Sequence, residues 1–346
     1  MMPIANPRRP APKKVSIYRE YQPENEDLLG NLHNIQKAID SIWIPNVHII
    51  NDFTDHGKGH SERVLDWAVD LLPILKDKTG IDLSDVERYL LLASGFLHDI
   101  GMQCDIIKFP HIKKEAEALK ADFVGVDFNA TSSSNYSNDA QEKIRENHHL
   151  LTAAWIQCAF TNRGSDPVSG LDDAAKLIKP ALVQSLKDIC MYHSKLPIIE
   201  TAFEPCGYDR DARIRLIAAL LRLADELDID YRRVPEGVHK NFRLDPGNGR
   251  YWWFHERTHI YLDYVYDQGK IIEGIIVFEL LLHPDDIRNY EDPVQKMVID
   301  VFKSKCKDLL KILASYNIPL SIEDKLIADA NLEKIPIEIL EQITRK

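Results

Sequence analysis

The run "LLLASGFLHDIGMQ", residues 90 to 103, limits the fold of this chain more than any other stretch. From Leu90 to Leu97 it holds only Leu, Ala, Ser, Gly and Phe, the make-up of a helix covered on every side. His98 and Asp99 follow at once. A carboxylate buried without a partner costs several kcal/mol. The rest of the chain must therefore carry groups that compensate this pair. Ser84 with Glu87 three places on, in "SDVE", is a capping-box start for the helix, which sets the polar pair at its far end.

Helical periodicity extends well beyond this run. From about residue 26 to 235, apolar residues recur at three- and four-residue spacing. The pattern predicts helices in "NEDLLGNLHNIQKAIDSIW", "HSERVLDWAVDLLPILKD", "DVERYLLLASGFLHDI", "EAEALKADFV" and "DAQEKIRENHHLLTAAWIQCAF". It also predicts them in "DDAAKLIKPALVQSLKDICMYHS" and "RDARIRLIAALLRLADELDI". Residues 1–25, rich in Pro and in Arg8, Arg9, Lys13, Lys14 and Arg19, read as a flexible arm. Residues 125–139 are polar and aperiodic, which suits a mobile loop over a site. After about 240 the texture changes: "THIYLDYVYDQGKIIEGIIVFELLLH" reads as a β-hairpin, Thr258 to Asp267 against Lys270 to His283. "DPVQKMVIDVFKSKCKDLLKILASY" returns to helix, with a further short helix at the end. The expected fold is mainly α: an all-helical core over residues 26–240, then a smaller α+β module, hairpin plus helices, over 241–346.

A chain of 346 residues can bury a full core without covalent staples. The five cysteines, Cys104, Cys158, Cys190, Cys206 and Cys306, form no CxxC pair, which argues for a reducing compartment and against a zinc finger. A net charge of −11 disfavours bulk binding to nucleic acid, while leaving room for a local basic pocket. No apolar run approaches the ~20 residues of a membrane span. The N-terminal basic stretch lacks a secretory apolar region. The expected setting is cytoplasmic, with no membrane partner and a homo-oligomer possible.

Several predicted helices bring His or Asp to an apolar face or end. "FTDHGKGHSERV" offers His56 and His60, which share a face if the helix starts early enough. His98 and Asp99 come next, then His148 and His149 in "RENHHLL", His193 in "MYHSK", and Asp225 in "LLRLADELD", with Asp228 one turn further. Each alone is weak; Asp225, for instance, has Arg222 one turn away as an ordinary ion-pair partner. Together they suit a shared divalent metal, which turns a desolvation cost into coordination. Imidazole with carboxylate and no thiolate suits Mn, Fe, Co, Ni or Zn in a reactive site better than a structural zinc.

The ordered set "HSERV", "LHDIG", a His-rich helix and "LADELD" resembles the HD-domain superfamily of metal-dependent phosphohydrolases. With "FTDHGKGH", "LLRLADELDIDYRRV" and "YWWFHERTH" it looks most like the HD branch found beside chaperone-type ATPases. The resemblance covers about residues 45 to 260. It implies His60, His98, Asp99 and Asp225 as ligands of a first metal. It implies His148 and His193 as ligands of a second, with Asp99 bridging. The resemblance prefers His148 to His149, because the family helix usually has a small residue four places after its histidine, and here that residue is Thr152. His149 is then a phosphate contact or supports a ligand, and His56 donates to a phosphate or serves as general acid. Two departures matter. Met102 stands where many relatives have a phosphate-binding Lys, and no Gly-Tyr-Pro follows His193, which weakens a cyclic-dinucleotide reading.

The implied chemistry is hydrolysis of a nucleotide phosphate, NTP or dNTP, by metal-activated water. Lys58, Arg145, Lys195 and Arg222 are candidate phosphate contacts. Tyr251, Trp252, Trp253 and Phe254 either stack a base or seam the C-terminal module to the bundle, with His255 and His259 structural. The alternatives are a cyclic or oligonucleotide phosphodiesterase, and a catalytically silent nucleotide-sensing module. The full ligand set disfavours the silent module.

Overall fold

The structure is a computed structural model, and it describes residues 16–43, 49–50, 54, 56–126, 136–161, 180–234 and 246–344. The helical part comprises α1 (Glu26–Trp43), α2 (Lys58–Asp70), α3 (Leu72–Thr79), α4 (Asp85–Leu97), α5 (Pro110–Ala118), α6 (Asn138–Thr161), α7 (Pro180–Met191) and α8 (Ile214–Leu227). Helix α4 is the axis of the bundle. Every residue from Tyr89 to Leu97 is buried, and α1, α2, α7 and α8 pack around it.

Two local devices set the level of the bundle. Ser84 Oγ accepts from Glu87 N–H at 3.3 Å, while Glu87 Oε2 accepts from Ser84 N–H at 2.9 Å, so the capping box is formed. The same buried Glu87 carboxylate accepts from the Arg213 guanidinium, Nε to Oε1 and Nη2 to Oε2, each 2.7 Å. Arg213 is the N-cap residue of α8, so one ion pair ties the starts of α4 and α8 together. Asp99 lies twelve residues beyond Glu87, and Asp225 twelve beyond Arg213. Equal counts at ~1.5 Å of rise per residue bring the two aspartates to one level, about 18 Å from the shared start. Against α2, α4 uses a glycine. A Cβ on Gly95 would stand 2.3 Å from Leu65 Cδ2, so the glycine lets α2 lie against α4 without displacing the Leu65 side chain, and the approach carries His60 towards His98.

The C-terminal part contains α9 (Pro246–Arg257), β1 (Thr258–Asp267), β2 (Lys270–Leu282), α10 (Pro284–Val294), a π-helical turn (Gln295–Ile299), α11 (Asp300–Ser315), β3 (Leu320–Ala328) and α12 (Ile337–Thr344). Strands β1 and β2 form the expected hairpin. Its two-residue turn uses Gln268 at φ 47° and Gly269 at φ 78°, the left-handed pair that matches strand twist. The sheet rests on the bundle: Tyr264 donates to Asp70 O at 2.7 Å, and Ile271 N–H donates to Asp77 Oδ2 at 2.9 Å. One hydrophobic core runs unbroken from Tyr18 through the bundle to Ile343.

The structure corrects several expectations. The segment "HSERVLDWAVDLLPILKD" is two helices, because Pro73 at the start of α3 has no N–H to continue the ladder. The helix expected over "EAEALKADFV" starts earlier, at Pro110, and stops at Ala118, with Lys120 at φ 71° closing it. The N-terminal arm is docked by its residues 16–21. Tyr18 is 2% exposed, its N–H donates to Asp66 Oδ1 at 3.0 Å, and its ring meets Phe96 edge-on at 5.8 Å. One aromatic ring there outweighs the polar composition around it. Strand β3 was not foreseen; it pairs parallel to β2, Gly274 opposite Leu320 through Leu282 opposite Ala328. Its burial is weak and irregular, so no clean alternation marks it in the sequence. The suggested loop over the site lies largely outside the described residues, as do the first fifteen residues of the arm and the segment ahead of Pro180.

Candidate metal centre

Helix α2 starts at Lys58 with Gly57 as its cap, so His60 is in its first turn and His56 lies before it, off the helix. His98 caps α4, and Asp99 leads into a short 3-10 turn, Ile100–Gln103. That turn is pressed onto α6 by Gly101, where a Cβ would stand 2.1 Å from His148 O and 2.8 Å from Thr152 N. Thr152 completes the joint: its Oγ donates to His98 O at 2.8 Å and accepts from Gly101 N–H at 2.9 Å. This contact delivers His148 to Asp99. Residue 149 is turned about 100° around α6, so its ring sits beside the centre rather than on it.

Asp99 is the hub. Its Oδ2 lies 3.3 Å from both His60 Nε2 and His98 Nε2, while its Oδ1 lies 3.3 Å from His148 Nε2 and 3.5 Å from His193 Nε2. Asp225 Oδ1 joins the first half, 3.2 Å from His60 Nε2 and 3.9 Å from His98 Nε2. The imidazoles themselves are close, with Nε2 to Nε2 distances of 3.2 Å for His60 and His98 and 2.9 Å for His148 and His193. His60, His98, Asp99 and His193 are at most 4% exposed.

The other ring nitrogens decide what these Nε2 atoms are. His98 Nδ1 donates to Gly95 O at 2.8 Å, His148 Nδ1 to Arg145 O at 2.6 Å, and His193 Nδ1 to Cys190 O. His60 Nδ1 donates to the Asp228 carboxylate at 2.7 Å. A carbonyl or carboxylate only accepts, so each neutral ring carries its proton on Nδ1 and turns a bare Nε2 lone pair inward. Lone pairs facing one another and a carboxylate repel unless a cation lies among them. Asp99 Oδ2 is moreover buried without a hydrogen-bond partner. The donor set fits a divalent cation: His60, His98 and Asp99 form one group that could hold an ion, and Asp99, His148 and His193 another.

The two halves differ in charge preference. Burial and the Arg233 charge oppose protonation of His60, but the Asp225, Asp228 and Asp99 carboxylates around its ring outweigh them and push its pKa up to about 10. His98 is likewise raised, burial being overcome by the Asp99 carboxylate. Without a metal the first half therefore takes a proton. In the second half burial dominates and lowers His148 to about 4, so that ring is neutral at pH 7.

The remaining candidates fall into two sets. His149, Lys195 and Arg222 border the centre. His149 is 4% exposed, its Nδ1 has no hydrogen-bond partner, and its pKa is lowered to about 2 by burial and by the surrounding His148, His193, Lys195 and Arg222. Arg222, one turn before Asp225, donates to Leu196 O at 2.6 Å, while Lys195 is exposed and makes no hydrogen bond or ion pair among the described residues. Lys58 and Arg145 are engaged with acids instead: Lys58 with Asp40 at 3.0 Å, Arg145 with both oxygens of Glu142. His56 has both ring nitrogens occupied, Nδ1 donating to Thr54 O at 2.5 Å and Nε2 accepting from Arg233 at 2.8 Å. Burial, with the Arg233 charge, holds it well below the usual imidazole pKa. Of the aromatic cluster, Trp253 and Phe254 are core residues and Arg257 stacks over Trp253 at 3.9 Å, whereas Tyr251 and Trp252 are half-buried. Sequence reasoning did not assign Asp228, Arg63 or Arg233. The one signal for Asp228 was its place one turn beyond Asp225.

Among the described residues no helix is long and apolar enough to cross a membrane. No curated protein and no solved structure matches this chain. A family model described as HD-CE matches residues 50–294, well over half of the chain and all of the His/Asp cluster. The chain thus belongs to the HD-CE family, a family of the HD-domain type, whose histidines and aspartates here converge on one buried carboxylate.

Proposed function

We propose that this protein is a divalent-metal-dependent phosphohydrolase acting on a nucleotide phosphate, with an NTP or dNTP as substrate. The observation that carries the reading is Asp99, whose two oxygens each face a pair of imidazole Nε2 atoms. In this reading His60, His98, Asp99 and Asp225 hold one ion, and Asp99, His148 and His193 a second. Such ions supply Lewis acidity at a phosphoryl oxygen and acidify water at neutral pH. The chain's own groups bind and orient the phosphate. Lys195 and Arg222 offer positive charge beside the His148–His193 half, and His149, neutral at pH 7, has a free Nδ1 for a phosphate oxygen. Arg222 also fixes the loop that carries Lys195 through its bond to Leu196 O. Tyr251 and Trp252, both half-buried, are the aromatic rings this reading assigns to a base.

The test compares wild type with Asp99→Ala for metal content by mass spectrometry and for turnover on NTPs, dNTPs and cyclic nucleotides with Mn, Mg, Co or Ni. The expected result is roughly one to two ions per chain and product release for wild type, and neither for the variant. A wild type that takes up no metal refutes the reading. Metal and nucleotide binding without turnover replaces it with the sensing module.

A further inference from the structure

Asp228 stands at the end of α8, three residues past Asp225, and is fully buried. Its Oδ2 accepts from His60 Nδ1 at 2.7 Å, and its Oδ1 accepts from Arg63 Nε at 2.8 Å. Arg63 lies three residues after His60 on α2. Arg233 reaches the same point, donating through Nη1 to Asp228 O at 3.0 Å and through Nη2 to His56 Nε2 at 2.8 Å. One imidazole is thus gripped from both sides by one helix end, with Asp225 at Nε2 and Asp228 at Nδ1. His60 also differs from its three companions. Their Nδ1 atoms donate to neutral carbonyls three residues back on their own chain segment, whereas His60 alone donates to a carboxylate.

We infer that Asp228, held by Arg63 and Arg233, is a positioning residue that fixes the tautomer and orientation of His60 and makes the His60 half of the centre the tighter of two metal subsites. The inference rests on the metal-centre reading above. A carboxylate behind a ligating imidazole raises its basicity as well as aiming it, and such partners are worth about 10- to 100-fold in metal affinity. A neutral carbonyl aims the ring and adds less. Arg63, 22% exposed, keeps the Asp228 charge paired, so the carboxylate stays ionised in an otherwise apolar position.

The experiment is chelator-buffered titration with Mn and Zn of the full-length protein and of Asp228→Asn and Asp228→Ala, with circular dichroism to establish folding. Asn accepts the same hydrogen bond without the charge; Ala accepts none. Affinity of the tighter subsite is expected to fall in the order wild type, Asn, Ala, with Ala weakened about 10- to 100-fold and the second subsite changed less than threefold. A folded Asp228→Ala within twofold of wild type overturns the inference. Where Ala does not fold, histidine ¹⁵N spectra of the metal-loaded wild type decide: a proton on His60 Nδ1 supports the assignment, and a proton on Nε2 overturns it. Affinity is read without turnover. A wild type that binds no metal is therefore a failure of the functional reading, and an unchanged variant is a failure of this inference alone.

Discussion

Gly101 is where a single methyl group should cost this protein both stability and half of its centre. In Gly101→Ala the new Cβ stands 2.1 Å from His148 O and 2.8 Å from Thr152 N and Thr152 Oγ. Ordinary contact begins at 3.4 Å, so the turn and α6 must separate by about 1.3 Å. The nearest atoms are backbone in the middle of a 24-residue helix and cannot swing aside. Overpacking of this kind costs about 1–3 kcal/mol. The separation also strains two buried hydrogen bonds through Thr152, each about 0.5–1.5 kcal/mol. A loss of about 3–5 kcal/mol follows, against a total of ~5–15. The same movement carries His148 away from Asp99, so the second metal should be lost before the first. Urea unfolding and metal stoichiometry read the two effects. Gly95→Ala is the control: its Cβ meets only the Leu65 side chain, Cδ2 at 2.3 Å and Cγ at 2.7 Å, which can change rotamer where backbone cannot, so the expected cost is about 1–3 kcal/mol with both metals kept. A Gly101→Ala protein within about 1 kcal/mol of wild type, or less harmed than Gly95→Ala, would refute this account of the joint.

Three other outcomes follow from the geometry. Metal-free His60, with its pKa pushed up to about 10, is protonated at pH 7, so metal must displace that proton. Calorimetry at pH 7 in buffers of differing ionisation heat should show about one proton released per first metal bound, with affinity falling as pH falls. Burial opposes ionisation of Glu87, but its hydrogen bonds to Arg213 hold its pKa below the usual carboxylate value. A depressed folded pKa gives stability that is present above the unfolded pKa, about 4.3, and lost as pH falls through the folded value. Glu87→Gln should flatten that acid limb and lower stability at pH 7 by about 3 kcal/mol, measured by urea unfolding from pH 3 to 7. Lys195→Ala should leave the melting temperature unchanged, because the side chain is exposed, while raising KM for a nucleotide substrate several-fold.

Much of the bundle was legible because its causes are local. The 3.6-residue period marked the helices, "SDVE" announced the start of α4, and the Gln268–Gly269 turn between two β-rich runs announced the hairpin. Pro73, which divides α2 from α3, is a local signal of the same kind. Tyr18 and β3 were not legible. A docked aromatic inside a polar arm, and a half-exposed parallel strand 46 residues from the positions it pairs with, draw their stability from surfaces that other segments supply.

By itself the sequence determined the inventory: which helices form, and that imidazoles and carboxylates stand at their apolar ends. Only the tertiary structure decided the pairings. The Glu87–Arg213 tie, with twelve residues on each side, levels Asp99 with Asp225. Contact at Gly101 and Thr152 turns His148, the residue the resemblance preferred, towards Asp99, while Lys58 and Arg145 pair with Asp40 and Glu142. Asp228 meets His60 across 168 residues of chain. Periodicity tells which face of a helix is buried, because that depends on spacing within one segment. Which atoms meet inside depends on the level and rotation at which separate helices pack, and those are fixed only when all the close contacts are satisfied at once.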